Sequence, residues 1–248
     1  MLEDAFNDCL SKAIRGHSCS ITQLASAAGI DEARISETLN GDHQDSTIRL
    51  LAPHLQLDAD KLVALKDYKP GQQSALGLTR IVSKFGHLGV NSYVINYGDT
   101  VLVFDTGTDA TEIHELVPNP SQLFITHEHP DHVGLANEFQ HTQISLPSNT
   151  QHGDHFGWGT LKINVLDVSG HCTPARAFFI TGLAKPICIV GDSIFAGSIG
   201  GCQTAEAYST ALANIRDHVL TLPDETIICP GHGPLTTVAQ EKQHNPFF

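Results

Sequence analysis

The stretch Thr126-His127-Glu128-His129-Pro130-Asp131-His132-Val133-Gly134 lies in the middle of a chain of 248 residues. This stretch places three imidazoles and the carboxylate of Asp131 within six positions. It follows Leu123-Phe124-Ile125, an apolar run typical of a buried strand. A polar surface loop, in a chain with 15 histidines, is the alternative interpretation. We favour a metal site, because neutral imidazole and carboxylate are the ligands of zinc and its first-row neighbours.

The spacing within this stretch allows more than one ion. His127 and His129 are separated by a single residue, so both can point the same way from an extended loop and reach one ion. Asp131 and His132 follow one turn further on, within reach of a second ion beside the first.

The composition is that of a folded protein that does not depend on nucleic acid or membrane. Hydrophobic residues make up 41% of the chain and charged residues 17%, as in soluble globular proteins. The net charge of −13 argues against general binding to nucleic acid or anionic lipid. No run approaches the ~20 apolar residues of a membrane span, and the acidic start lacks the apolar region of a signal peptide. Six cysteines without a Cys-x-x-Cys pair fit a reducing compartment, so we expect a cytoplasmic protein.

Residues 1–70 carry the apolar periodicity of helices throughout. Ser20 and Gln23 form a candidate capping box, and Gly29 is placed to end that helix. The pattern predicts five helices, over about 2–15, 20–28, 32–39, 46–55 and 58–65.

The run from Ile21 to Gly41 closely resembles the helix-turn-helix of lambda-repressor-like domains. The matching features are Gln23, Leu24-Ala25, Gly29, Ile35-Ser36 and Asn40-Gly41. The resemblance covers about residues 2–67 and implies a small all-α domain. We therefore expect a helical domain at 1–70, a linker at 71–77 and a second domain at 78–248.

The predicted recognition helix argues against nucleic acid as a partner. Such a helix lies beside phosphates in a DNA reader and carries basic and amide side chains. Here Asp31, Glu32 and Glu37 are acidic, and Arg34 is the only base. Residues 1–70 hold seven Lys and Arg against eleven Asp and Glu, a net of −4. We expect this domain to serve in packing, in a homo-oligomer or beside a substrate cleft.

From Leu78 the periodicity changes to alternating strands and helices, which predicts an α/β fold with helices outside the sheets. Several strand-like runs end in loops that carry a potential ligand, and these loops could converge on the cluster at 127–132. The residues on these loops are Asp105, His171, Asp192 and His232.

Four motifs together resemble the pattern of the metallo-β-lactamase superfamily. They are His127-x-His-x-Asp-His132, Gly170-His-x-x-Pro174, Gly191-Asp-x-x-Phe195 and Pro230-Gly-His-Gly-Pro234. The resemblance spans about residues 78–248 and implies a four-layer αβ/βα sandwich with a metal cleft along one edge. The later motifs look like the glyoxalase-II-like (hydroxyacylglutathione hydrolase-like) branch. In that branch Gly-Ser-Ile-Gly usually continues with Arg-Thr, whereas Gly201-Cys202 follow here, which removes a cation near the cleft mouth.

Carried over residue by residue, the resemblance implies seven metal ligands and a supporting residue. His127, His129 and His171 would hold one metal, Asp131, His132 and His232 would hold the second, and Asp192 would bridge both. Asp105 would orient the metal loop from behind. Two divalent ions are implied, with zinc favoured and iron or manganese as alternatives.

The implied function is hydrolysis at a dinuclear metal centre. Two neighbouring cations lower the pKa of a shared water to near 7, and the metal-bridging hydroxide would attack a small-molecule ester or thioester. Thioesters of the hydroxyacylglutathione type fit the resemblance, and Asp131 would orient the nucleophile. One alternative is a mononuclear iron persulfide dioxygenase, which uses only part of this ligand set. The other is a DNA-binding regulator with a metal-binding sensor domain.

A few further residues could border the cleft. His87 lies on a loop that could reach it. His152, His155 and Trp158 lie on a turn-rich segment that could form a pocket wall, a hairpin tip being the alternative.

Overall fold

The computed structural model describes residues 1–86 and 88–248. Five N-terminal helices precede two packed β-sheets with helices outside them. His87 lies outside the described residues, and so does its suggested place beside the cleft. No helix within the described ranges is both long enough and apolar enough to cross a bilayer.

The N-terminal helices lie close to their predicted positions. They are α1 (Phe6–Gly16), α2 (Ile21–Ala28), α3 (Glu32–Leu39), α4 (Asp45–Leu51) and α5 (Ala59–Ala64). Ser20 and Gln23 form the predicted capping box, and Gly29 ends α2 with a φ of 66°. The first helix begins at Phe6, later than predicted, because the chain before it lies against Gly233. The resemblance to lambda-repressor-like domains stays a prediction.

The first sheet sets the edge at which the predicted ligands emerge. Its strands, in sheet order, are β1 (Leu78–Phe85), β2 (Leu88–Tyr97), β3 (Thr100–Phe104), β4 (Gln122–Phe124) and β5 (Gln143–Ser145). β1 to β3 are antiparallel, and β3 to β5 are parallel. The parallel pairs require crossover connections, which contain α6 (Thr111–Leu116) and α7 (Pro130–Val133). The loops after β3 and β4 therefore leave from the same edge.

The second sheet has six strands and a short ribbon beside it. Its elements in chain order are β6 (His155–Trp158), β7 (Leu161–Asp167), β8 (Arg176–Thr181), β9 (Ile187–Gly191), the ribbon β10 (Ile194–Phe195) and β11 (Ser198–Ile199), α8 (Ala205–Asn214), β12 (Ile227–Pro230), β13 (Thr236–Thr237) and α9 (Val238–His244). The sheet order is β13-β12-β9-β8-β7-β6. The pair β9 and β12 is parallel, so both strands end at the same edge.

The sheets pack face to face around an aromatic core. Phe104 and Phe124 of the first sheet stack at 5.0 Å, and Phe178 of the second sheet lies 5.6 and 5.0 Å from them. Ile113 of α6 packs on the outer face of the first sheet, while α8 and the N-terminal helices cover the second. These layers form the predicted four-layer αβ/βα sandwich.

The N-terminal helices form part of the outer layer of this sandwich. Leu10 of α1 belongs to the same hydrophobic cluster as Ala211 of α8 and Ile228 of β12. Further along, the amide of Asp58 donates to the carbonyl of Pro246 at 2.8 Å. The helical segment is therefore packed against the sandwich, and the exact division of the chain into domains stays a prediction.

Gly16 of α1 lies against the ring of Tyr208 in α8, where an added Cβ would come within 2.3 Å of the ring. Gly to Ala in an unhindered helix stabilises by roughly 0.5–1 kcal/mol. We expect Gly16→Ala to lower the free energy of unfolding by about 1–3 kcal/mol instead, because the buried ring has to move. Urea denaturation measures this change. The penalty should shrink in a Tyr208→Leu background, and an equal penalty in both backgrounds would contradict the contact.

The structure contains two short elements near the site that the sequence patterns do not predict. Helix α7 begins at Pro130, a residue suited to the first position of a helix. It ends at Val133, so Asp131 and His132 lie within α7. The segment predicted to be turn-rich contains edge strand β6, which pairs with β7. Its sequence, His-Phe-Gly-Trp, is too short to show a strand periodicity.

Candidate metal centre

The predicted site residues come together at one edge of the sandwich, on loops that follow strands. Asp105 directly follows β3, and the His127 loop follows β4. His171 lies between β7 and β8, Asp192 follows β9, and His232 follows β12. The parallel pairing of both sheets thus delivers ligands to a common edge.

The potential ligand atoms form two groups, and the atoms of each group lie within 4.8 Å of one another. The first group contains His127, His129, His171 and Asp192, and the second contains Asp131, His132 and His232. All seven residues that the resemblance implies as ligands are therefore brought together.

Three imidazole nitrogens of the first group approach a common point. His129 Nδ1 lies 3.1 Å from His127 Nε2 and 3.2 Å from His171 Nε2. Burial lowers the pKa of His127 to about 2, so this ring is neutral at physiological pH. Neutral imidazoles gathered in this way offer the lone pairs that a first-row metal ion requires.

Asp192 lies between the two groups. Its Oδ2 is 3.9 Å from His127 Nε2 and 3.7 Å from His171 Nε2, both in the first group. Its Oδ1 is 3.4 Å from His132 Nε2, and its Oδ2 is 3.4 Å from His232 Nε2, both in the second group. One carboxylate is therefore in reach of both candidate ion positions.

Asp105 holds the cluster from behind, the place expected for it. It is buried, has a φ of 56°, and its Oδ2 accepts a hydrogen bond from His132 Nδ1 at 2.9 Å. The amide and hydroxyl of Thr126 donate to the two oxygens of the same carboxylate at 2.8 Å each. These bonds orient His132 so that Nε2 faces the centre, which is the usual way to fix a metal-binding histidine.

Two further histidines are oriented by main-chain carbonyls. His171 Nδ1 donates to Gly201 O at 2.7 Å, and His232 Nδ1 donates to Gly89 O at 2.9 Å. In both rings this leaves Nε2 to face the cluster. Sequence patterns do not reveal such partners, because every residue carries a carbonyl.

Glycines let the backbone pass directly behind the ligands. A Cβ at Gly231 would lie 2.1 Å from Asp192 Oδ1, and one at Gly191 would lie 2.4 Å from Thr126 Oγ1. Gly191 also has a φ of 52°, which favours glycine. The sequence motifs predicted the ligands Asp192 and His232. The structure explains why a glycine precedes each of these two ligands, because no larger residue would fit there.

The residues fit a pair of divalent cations. Nε2 of His132 and Oδ1 of Asp192 are buried without a hydrogen-bond partner, two of four such side-chain atoms among the described residues. Leaving a buried polar atom without a partner costs about 1–3 kcal/mol, and a cation bound between these atoms would remove that cost. The imidazole and carboxylate donors suit zinc, iron or manganese.

The ion-free cluster contains strong histidine–aspartate pairs. Burial would lower the pKa of His132, but the carboxylates of Asp105 and Asp192 raise it to about 10. Burial acts the same way on His232, whose contacts with Asp131 and Asp192 raise its pKa to about 11. Burial would raise the pKa of Asp192, but His132 and His232 hold it well below its usual range. The charge of the second group therefore depends on whether protons or metal ions are bound.

Metal loading should release protons. His132 and His232 each carry an extra proton at pH 8 in the ion-free chain, because their pKa values are about 10 and about 11. Each ring must lose that proton before Nε2 can bind a cation. We expect at least two protons released per chain, with a further one if the metal-bound water ionises, and an affinity that rises with pH between about 6 and 9. Calorimetric titration with Zn²⁺ in buffers of different ionisation enthalpy counts the protons, and a count near zero would contradict the ion pairs.

The suggested pocket-wall residues lie outside the cluster. His152 Nδ1 accepts a hydrogen bond from the amide of Asp167 at 3.2 Å, and its ring stacks on His218 at 4.4 Å. The Trp158 ring lies 6.5 Å from that of Phe124 in the aromatic core. His152 is thus an exposed residue held by these two contacts, and Trp158 packs at the edge of the aromatic core.

Side chains of α1 border the site, although no sequence motif singles them out. Lys12 Nζ donates to Ile199 O at 2.7 Å. Arg15 Nη2 lies 3.8 Å from the position that a Cβ of Gly201 would take. Such contacts join residues far apart in the chain, so a local pattern could not have found them.

Comparison with known proteins agrees with this geometry. The family model described as "Metallo-beta-lactamase superfamily" matches residues 85–162. Hydroxyacylglutathione hydrolase GloC of Haemophilus influenzae is 31% identical over 59% of this chain and 86% of that protein. Probable metallo-hydrolase YqgX of Bacillus subtilis is 26% identical over 66% of this chain and 94% of its own length. The crystal structure of BLEG-1 B3 metallo-beta-lactamase has a TM-score of 0.58 and 26% identity, and the match covers 68% of this chain and 98% of the other. The chain belongs to the metallo-β-lactamase superfamily.

Proposed function

We propose that this protein is a dinuclear metal-dependent hydrolase of thioesters of the hydroxyacylglutathione type. The observation that carries the proposal is the complete second donor group, Asp131, His132 and His232, with Asp192 placed between it and the first. A relative 31% identical in sequence is named a hydroxyacylglutathione hydrolase, which supports the choice of substrate class.

The ligands divide between two ions. His127, His129 and His171 would hold one ion, Asp131, His132 and His232 would hold the other, and Asp192 would contact both. When bound, two divalent cations supply the Lewis acidity that makes a water molecule nucleophilic near neutral pH and polarises an acyl carbonyl.

Asp131 is placed to orient the attacking water. Burial would raise its pKa, but His232 and His132 hold the pKa below the usual range, so the carboxylate stays ionised. Its Oδ2 lies 3.3 Å from His232 Nε2. An ionised carboxylate at this position can accept a hydrogen bond from water and so direct a lone pair of the water at the substrate carbonyl.

A thioester suits a site with this set of groups. A free thiol has a pKa of about 8.5, so a thiolate can leave without a strong general acid. An alkoxide is a stronger base than a thiolate, so an ester leaving group depends more on protonation by a general acid. The ionised aspartates around the cluster are acceptors, which fits a substrate whose leaving group needs no proton.

Elemental analysis and turnover together test this function. We expect two metal ions per chain and hydrolysis of S-lactoylglutathione by the metal-loaded wild type. Asp131→Asn should lower kcat by about a hundredfold or more, whereas Asp99→Asn, on an exposed hairpin turn, should not. One iron per chain with oxygen consumption on a glutathione persulfide would replace the proposal by a dioxygenase. Sequence-specific shifts of DNA fragments without thioester hydrolysis would favour a regulator.

A further inference from the structure

We propose that Arg15, carried to the cleft by the N-terminal helix α1, is a specificity-determining residue that binds a carboxylate of an anionic substrate. This inference deepens the proposed function and rests on it for the identity of the reaction. It also assigns a role at the site to the N-terminal helical segment.

Arg15 lies beside the ligand His171. Its Nη2 is 3.8 Å from the Cβ position of Gly201, and Gly201 O accepts the hydrogen bond that orients His171. The guanidinium of Arg15 is therefore next to Gly201, and Gly201 is hydrogen-bonded to His171 of the first donor group. His171 is itself only partly buried, with 19% of its side chain exposed.

Arg15 is free to bind a ligand. The side chain is exposed, and it makes no ion pair with any residue in the ranges 1–86 and 88–248. The chain has a net charge of −13, so most of its surface repels anions. An exposed guanidinium at the edge of the candidate site would attract an anionic ligand there. A guanidinium can hold a carboxylate with two parallel hydrogen bonds.

Lys12, one turn earlier on α1, fixes the position of this cation. Its ammonium donates to Ile199 O at 2.7 Å, pairs with Asp4, and lies 5.2 Å from the centre of the Phe195 ring. Only 12% of its side chain is exposed, so Lys12 is occupied by these contacts. The end of α1 is thereby attached to β11, shortly before Gly201.

Gly201 makes room for the arrangement. The nearest atoms around its Cβ position are Arg15 Nη2 at 3.8 Å and Lys12 Cε at 3.9 Å, so a long side chain here would point into the space that α1 fills. The φ of Gly201 is outside the left-handed region. The small residue at position 201 therefore lets the end of α1, with Arg15, approach the backbone that orients His171.

Binding of a probe that cannot be hydrolysed tests the site without turnover. S-hexylglutathione carries two carboxylates and a stable thioether, and its diethyl ester carries none. With metal-loaded protein we expect Arg15→Gln to raise the Kd of S-hexylglutathione about tenfold and to leave that of the diester unchanged. Arg49→Gln removes an exposed charge on α4 and is the matched control.

The outcomes separate this inference from the proposed function. Equal Kd values for wild type and Arg15→Gln, equal effects on acid and diester, or no binding of S-hexylglutathione by the wild type would each overturn the role of Arg15. Hydrolysis of S-lactoylglutathione with an unchanged KM in Arg15→Gln would also overturn it while the proposed function stands. A wild type that binds the probe through Arg15 but hydrolyses no thioester would support the carboxylate site and reject the proposed reaction.

Discussion

Replacement of Asp192 by asparagine should lower kcat/KM for thioester hydrolysis by about a thousandfold, a loss of about 4 kcal/mol in transition-state stabilisation. The Asp192 carboxylate lies within 4 Å of ring nitrogens from both donor groups. An amide keeps the shape of the carboxylate but removes its charge and places a donor among the imidazoles. Both ions should therefore bind more weakly, and we expect fewer than two metal ions per chain.

Metal content and kinetics distinguish this result from misfolding. The far-ultraviolet circular dichroism of Asp192→Asn should match that of the wild type, because Asp192 emerges after β9 and forms no part of the core clusters. Asp99→Asn, on the exposed turn between β2 and β3, makes the same chemical change away from the site. Retention of two ions and full activity in Asp192→Asn would reject the bridging position.

Gly231→Ala should abolish tight metal binding through a single methyl group. The new Cβ would lie 2.1 Å from Asp192 Oδ1 and 2.6 Å from His132 Cε1. Neither neighbour can yield easily, because His132 is fixed by Asp105 at 2.9 Å and both are buried. We expect kcat/KM to fall by about a hundredfold or more, with the loss of at least one ion per chain.

Gly157→Ala is the matched control for this substitution. The nearest atom to its Cβ position is Leu161 O at 3.5 Å, an ordinary contact. Gly157 lies in β6, at the far edge of the second sheet from β12. Both variants add one methyl group to a glycine near the end of a sheet strand, so a similar loss of metal in both would show that the effect is not local to the ligands.

The sequence was sufficient for the fold and for the residues that gather at the site. Apolar runs such as Leu123-Phe124-Ile125 mark buried strands, and in parallel sheets the ends of such strands meet at one edge. Side chains with metal-binding chemistry at those ends, such as His127 and Asp192, could therefore converge, and the family resemblance implied how they would be grouped.

What could not be predicted depends on contacts between distant segments. The main-chain carbonyls of Gly201 and Gly89 orient His171 and His232. Every residue has such a carbonyl, so the sequence does not indicate which ones take part. The place of Arg15 follows from the packing of α1 on α8, which no local periodicity encodes. The edge strand β6 was missed because four residues are too few for a pattern to emerge.

The packing of α1 also has a consequence for the order in which the molecule is built. Cys9 donates to Gly197 O, a partner 188 residues further along the chain, and Asp58 contacts Pro246. During synthesis the first helices therefore emerge long before their partners. The apolar face of α1 stays exposed until α8 has been synthesised. Contacts so remote in sequence form late. The packing that holds Arg15 in place can therefore be completed only after most of the chain has been made.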